Sequence, residues 1–253
     1  MKVIDLFCGA GGFSEGFRQA GHEILLAIDN DEDALSTHQA NHPNAEHWLE
    51  DVRKLERLPK ADVVIGSPPC VEFSRGNPVR SFDTTLCIDF LRLALTSRPS
   101  FFIMENVPEA GRNLPFKGLV VDAADFGVPQ RRIRWFGGLF PPPLRTRSTS
   151  RTTVQDAIGR DVDVRLRNGF EQRIRSFRPA PTIVAHWAKR GSALPFSIDE
   201  LKVLMGFPLG YAFVGSKTSR IIQIGNAVPP PVARAFALSM GSEFSHPSIP
   251  AIL

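Results

Sequence analysis

Cys70 stands directly behind two prolines in GSPPCVEFSRG, residues 66–76. The prolines stiffen the chain and form no helix or strand that would bury the thiol, so it reads as a positioned nucleophile rather than a packing residue. Such a thiol needs a positive or polar neighbourhood to bring its pKa down from about 8.5. Arg132 and Arg134 of QRRIR are the candidates for that neighbourhood, and Glu105, near the end of the apolar run FFIMEN, offers a carboxyl group for acid catalysis beside the thiol. Near the N-terminus, DLFCGAGGFSEGF places Gly9, Gly11 and Gly12 where a strand turns tightly into a helix. A turn of this kind can bind a nucleotide-like ligand, although the Gly-Lys-Ser/Thr phosphate loop is absent. Asp29, about twenty residues on, is placed for ribose hydroxyls, and Asp51 could accept from an adenine amino group. The competing reading of each carboxylate taken singly is a helix cap or turn residue.

These groups work together only if the elements carrying them end near one another. KVIDLF, EILLAID and ADVVIGS are apolar strands, GFSEGFRQAG and DEDALSTHQAN are helices between them, and DTTLCIDFLRLALTSR is a helix leading to the strand SFFIMEN. This alternation implies an α/β fold with a mostly parallel sheet, whose strands end in polar residues where open sheets hold ligands. GLVVDAADFGVPQRRIRWFGG reads as two strands joined by a loop. LFPPPLRTRSTSRTT then breaks regular structure and marks a boundary. The expected division is a catalytic domain over residues 1–138, a small region over 139–224, and a segment over 225–253 that returns to the first domain. In that last part GNAVPPPVARAFALSM has prolines entering an amphipathic helix.

The 253 residues carry a net charge of +4, with 43% hydrophobic and 22% charged residues, an ordinary globular composition. Residues 139–177 hold eight arginines and no lysine against Asp156, Asp161, Asp163 and Glu171, an excess equal to the whole net charge. A solvated basic surface would look the same, but arginine binds phosphates and base edges bidentately, so this basic, weakly patterned stretch leans towards nucleic acid. The three cysteines, Cys8, Cys70 and Cys87, form no CxxC and suit a reducing compartment. No apolar run approaches the ~18 residues of a membrane span, and the N-terminus lacks a signal pattern, so a cytoplasmic protein is expected. His38, His42 and His47 are spaced like metal ligands, but Pro43 ends any helix there and no cysteine is near. They read as a solvated helix end, with no metal expected.

Taken together, the motifs resemble those of the DNA (cytosine-5) methyltransferase family, in family order from residue 3 to about 237. DLFCGAGGFS, GSPPCVEFS, MENV, QRRIR, RPAPT and GNAVPP each match a family motif. The resemblance implies a Rossmann-like S-adenosylmethionine-dependent methyltransferase fold with a small target-recognition region. It makes Cys70 the nucleophile on C6 of a flipped cytosine and Glu105 the carboxyl on N3 and the exocyclic amine. Arg134 and Arg132 orient the ring or adjoining backbone. S-adenosylmethionine, leaving as S-adenosylhomocysteine, falls to Phe7, Gly9, Ala10, Gly11, Gly12, Phe13, Asp29, Asn30, Asp51, Val52 and Leu86, with Asn226 and Ala227 closing the pocket. Double-stranded DNA falls to Ser74, Arg75, Gln130, Arg165, Arg167, Arg173 and Arg175. A prokaryotic or viral restriction-modification setting is implied.

Four departures from the family stand out. Val71 replaces the glutamine usual after the catalytic cysteine, and Asn30 stands where an aromatic often packs on adenine. Only PEAGRNLPFKG separates MENV from the next strand, where the family has a crossover helix, and a crossover normally needs at least ~10–12 residues. One sheet face is therefore expected to lack cover, to be supplied by a second copy or an accessory subunit. The short stretch left for recognition implies a short or loosely read target. The alternatives are a tRNA cytosine-5 methyltransferase and an inactive relative that only binds nucleic acid.

Overall fold

The computed structural model describes residues 1–69, 84–144, 151–167, 171–185, 188 and 194–241. Cys70, Val71, Ser74, Arg75, Arg145 and Arg147 lie outside the described residues.

A seven-stranded sheet carries the fold, in the order β3-β2-β1-β4-β5-β7-β6. Strands β1 (Lys2–Leu6), β2 (Glu23–Asp29), β3 (Glu46–Leu49), β4 (Val63–Gly66) and β5 (Phe101–Asn106) run parallel. β6 (Gly118–Asp122) and β7 (Ile133–Leu139) form the hairpin expected from sequence, and β7 pairs antiparallel with both β5 and β6. Helices α1 (Gly12–Gln19), α2 (Glu32–Asn41), α3 (Thr85–Ser97) and the four-residue α4 (Pro108–Gly111) fall between the strands. Beyond the sheet come α5 (Val154–Ile158), the hairpin β8 (Asp163–Arg167) and β9 (Glu171–Arg175), then α6 (Ile198–Met205), α7 (Lys217–Asn226) and α8 (Pro230–Gly241).

Strand side chains alternate between faces, and the sheet is apolar on both. Val3, Val63, Ile65, Ile103 and Phe136 pack with Phe13 and Phe17 of α1 and with Val232 and Phe236 of α8. Ile4, Leu6, Val64, Met104 and Trp135 pack on the other face with Phe90 and Leu93 of α3. α1 and α8 approach closely because a Cβ on Gly16 would lie 2.4 Å from the Ala233 Cβ and 2.5 Å from the Pro230 carbonyl oxygen. α8, the last described helix, thus packs on the sheet beside α1. A separate core, including Val154, Ile174, Ile183, Leu201, Leu204, Phe207 and Ile224, organises the region after the boundary.

Three sequence readings are corrected here. The basic stretch is not weakly patterned: Val164 and Ile174 pair across the β8–β9 hairpin and turn to the second core, so the alternating Asp163, Arg165, Arg173 and Arg175 share the other face. The expected uncovered sheet face carries its own cover. Trp135 is buried there against Phe116 and is packed so closely on Gly111 and Gly118 that a Cβ at either would lie 2.4–2.5 Å from the indole. Leu119 and Val120 on the edge strand β6 and Ile133 at the start of β7 stay exposed. Finally, the histidines are no solvated helix end.

His38 and His42 are buried and His47 is half-buried. His38 Nδ1 lies 2.8 Å from His47 Nε2 and its Nε2 3.0 Å from Ser14 Oγ, which donates to Asp5 at 2.7 Å. Burial lowers the pKa of His38 and takes that of His42 to about 4, so the rings are neutral hydrogen-bonding groups that tie α2 to α1. Among the described residues no group of three or more His, Cys, Asp or Glu could hold a metal ion, and no helix is long and apolar enough to cross a membrane.

Candidate active site

β1 lies between β2 and β4, where the strand order reverses, and open α/β sheets hold ligands at the carboxyl ends of the strands there. The chain leaves β1 through Phe7 and Gly9, both in the left-handed region at φ 55° and 53°. Such a conformation costs a residue with a Cβ roughly 1–2 kcal/mol, and at Phe7 it bends the chain away from the sheet end. Asp29, at the end of β2, fixes this bend: its carboxylate accepts from the Gly9 N–H at 2.7 Å and from the Asp31 N–H at 2.9 Å. Burial raises the pKa of Asp29.

A cleft of about 280 Å³ opens beside the loop, lined by Phe7, Asp29, Asn30, Glu50, Asp51, Val52, Arg53, Pro69, Thr85 and Leu86. Asp51 is paired with Arg53 at 2.5 Å, which brings its pKa down to about 2 and keeps it ionised. Three carboxylates against one arginine give the cleft an acceptor-rich, acidic lining. It suits a ligand that carries hydroxyl and amine donors and positive charge.

Six of the expected cofactor residues therefore line the cleft: Phe7, Asp29, Asn30, Asp51, Val52 and Leu86. Gly9 holds their loop in place. The remaining expected residues sit outside this lining. Ala10 and Phe13 are interior, and a Cβ on Gly11 or Gly12 would meet Tyr211 or the Val228 carbonyl. Asn226 and Ala227 lie outside the lining, the first holding Arg132 through its carbonyl. Sequence reasoning missed Glu50, Arg53, Pro69 and Thr85, although Glu50 and Thr85 each directly precede a residue it did find.

Glu105 and Arg134 meet because β7 runs antiparallel to β5, so the start of one strand lies beside the end of the other. The register pairs Asn106 with Trp135 and Glu105 with Phe136. Arg134 Nε lies 3.1 Å from Glu105 Oε1. Glu105 is buried, and desolvation raises its pKa against the lowering by Arg134 and Arg132. A carboxyl raised this way holds its proton more readily than a free one and can give it to a ring nitrogen. Asn106 donates through Nδ2 to the Pro68 carbonyl at 3.1 Å, so the segment leading to Cys70 leaves β4 tied to the residue next to Glu105.

Arg132 is corrected as a ring contact: it is buried and donates to the carbonyls of Ile183 and Asn226 at 3.2 and 3.3 Å. Gln130 is likewise corrected as a nucleic-acid contact. It is fully buried, donating to the Leu204 carbonyl and accepting from the Ile183 N–H at 2.9 Å. Both side chains join the sheet to the second core. Arg165, Arg173 and Arg175 share the face of the β8–β9 hairpin turned away from that core, and Arg173 pairs with Asp163 at 2.7 Å. Arg167 falls on the same strand as Arg165.

The family model for C-5 cytosine-specific DNA methylases matches residues 1–113 and 146–242, and the unmatched interval contains β6 and β7. Type II methyltransferase M.HgiDI of Herpetosiphon aurantiacus is 32% identical, over 98% of this chain and 96% of the relative. Type II methyltransferase M1.HphI of Haemophilus parahaemolyticus is 30% identical, over 94% of this chain and 86% of the relative. Among solved structures, a prophage-encoded DNA modification methyltransferase (E. coli) superposes with a TM-score of 0.74 at 22% identity, over 95% of this chain and 98% of that one. DNMT2 of Spodoptera frugiperda does so at 0.65 and 18% identity, over 92% and 97%. At those identities the two structures speak for the fold.

Proposed function

Since the chain belongs to the C-5 cytosine-specific DNA methylase family and is a DNA (cytosine-5) methyltransferase, we propose that Cys70, Glu105 and Arg134 carry its reaction on a flipped cytosine. The observation behind this assignment is the pairing of buried Glu105 with half-buried Arg134, next to the asparagine that holds the Pro68 carbonyl.

Cytosine C5 is a poor nucleophile, and in a duplex its edge is stacked away, so the base must be turned out and activated covalently. The Cys70 thiolate forms a bond to C6, and the displaced electron pair moves through C5 and the ring. Glu105 gives its proton to N3, and Arg134 holds the carboxyl in place for it. S-adenosylmethionine supplies the methyl group that C5 takes up. Water takes the C5 proton, its electron pair re-forms the C5–C6 double bond as the C6–S bond breaks, N3 returns its proton to Glu105, and the thiolate is free again.

Asp29, Asp51 and Glu50 are the residues suited to the ribose hydroxyls, adenine amine and cationic end of that methyl donor, with Phe7, Val52 and Leu86 against its apolar surface. Double-stranded DNA is the acceptor in this reading, met by the arginine face of the β8–β9 hairpin.

Duplex DNA containing 5-fluorocytosine tests the mechanism, because fluorine cannot leave C5 as a proton does. Incubation with labelled S-adenosylmethionine is expected to give a labelled covalent adduct that Cys70→Ala abolishes. Methylation of C5 by Cys70→Ala at the parental rate would sink the proposal.

A further inference from the structure

Apart from the cleft at the sheet, a cavity of about 340 Å³ lies where the segment before β7 meets β9 and the chain that follows it, framed by Arg131, Arg173, Arg175 and Arg178 over the main chain of residues 179–181. Its walls are fixed. Arg131 N–H donates to the Ala180 carbonyl at 2.7 Å, Ala180 N–H to the Pro129 carbonyl at 2.8 Å, and Thr182 Oγ1 to the Arg131 carbonyl at 2.7 Å. Pro179 and Pro181 fix φ on both sides of this join.

The charge around the cavity is not balanced. Arg131 has Asp122 at 3.5 Å and Arg173 has Asp163 at 2.7 Å. For Arg175 and Arg178 no carboxylate lies within 4.0 Å among the described residues. Their guanidiniums lie 5.9 and 5.7 Å from the centroid of the Phe177 ring, which is 61% exposed. The exposed ring thus stands between two guanidiniums that both line the cavity, with its face open to solvent. Paired guanidinium forks around a concavity suit a phosphate, and an exposed ring beside them suits the flat face of a base.

We propose that this cavity seats a backbone phosphate of the DNA substrate on Arg175 and Arg178, with Phe177 stacking on the adjoining nucleotide. Arg131 stands one residue before Arg132 on the approach to β7, so a strand seated here is held against the segment that carries Arg134 to Glu105. The inference rests on the reading of the chain as a DNA methyltransferase.

The test uses the full-length enzyme and duplexes in which single phosphodiesters around the target cytosine are replaced, one at a time, by neutral methylphosphonates. For the parent enzyme, one or two linkages should raise the KM for DNA by about tenfold. R175A with R178A should raise the KM for the unmodified duplex by a similar or larger factor and lessen the salt dependence by about one to two counterions. At the sensitive linkage the methylphosphonate should then cost this variant nothing more. F177A should weaken DNA binding with its salt dependence unchanged. The KM for S-adenosylmethionine and the melting temperature report a merely structural effect, and neither should move.

Equal methylphosphonate penalties in the parent and the arginine variant at every linkage would overturn the phosphate seat while leaving the methyltransferase reading intact. If the parent neither methylates DNA nor forms the 5-fluorocytosine adduct, both readings fall.

Discussion

Tyr211, the only tyrosine in the chain, gives the sharpest test of how the cofactor loop is held. Its hydroxyl donates to the Ala10 carbonyl at 2.6 Å and lies 3.3 Å from His42 Nε2, all three groups being buried. Tyr211→Phe removes the oxygen and leaves the ring in place, so no cavity opens; the loss is one donor for the Ala10 carbonyl and one partner for His42. Leaving a buried polar group unpaired costs about 1–3 kcal/mol. For a domain of this size each kcal/mol lowers the melting temperature by roughly 2–4 °C, so a fall of about 3–10 °C is expected. Ala10 lies one residue from Gly9, whose N–H Asp29 holds at 2.7 Å, so slackening at Ala10 reaches the wall of the cleft. The KM for S-adenosylmethionine should therefore rise several-fold while that for DNA moves less. Scanning calorimetry and initial-rate kinetics on one preparation read both effects. A melting temperature within about 1 °C of the parent would refute the claim that this bond supports the loop.

Asp5 and His42 set opposite pH dependences. Burial raises Asp5 from 3.8 to about 7, so its contribution to stability is whole below 3.8 and is lost as the pH climbs to 7. Burial lowers His42 from 6.5 to about 4, so its contribution is present above 6.5 and is lost as the pH falls through 4. Asp5→Asn removes only the first, and its stability relative to the parent should improve by a few kcal/mol, order of magnitude, between pH 4 and 7. A parent–variant difference in denaturant midpoint that stays constant with pH would contradict this. Trp135→Ala should cost about 3–5 kcal/mol and, by uncovering the sheet between β5 and β6, promote self-association visible in sedimentation. Asn106→Ala frees the Pro68 carbonyl and should lower kcat by about 10²-fold through a misplaced Cys70, with binding of S-adenosylmethionine retained in titration calorimetry.

The motifs were legible because each is a property of a short window. Glycines at 9, 11 and 12, the two prolines before Cys70 and the polar ends of β2 and β5 all announce themselves within a dozen residues. The β8–β9 hairpin was missed, although Val164 and Leu166 alternate with Asp163, Arg165 and Arg167 in the sequence. The histidines were misread for a different reason. Pro43 does end α2, but what decides solvation is whether another element lies over the helix end, and here α1 and Tyr211 do.

By itself the sequence determined the strand-and-helix alternation, the glycine turn at the end of β1 and the reactive side-chain types available to a site, since periodicity and side-chain type are local. The tertiary structure decided which of those groups meet. Arg132 and Arg134 are two residues apart, yet one is buried holding main-chain carbonyls and the other reaches Glu105. That division follows from β7 entering the sheet antiparallel beside β5 and from the second core closing over Gln130 and Arg132. Strand pairing and burial are settled between residues far apart in the chain, where no local pattern reaches.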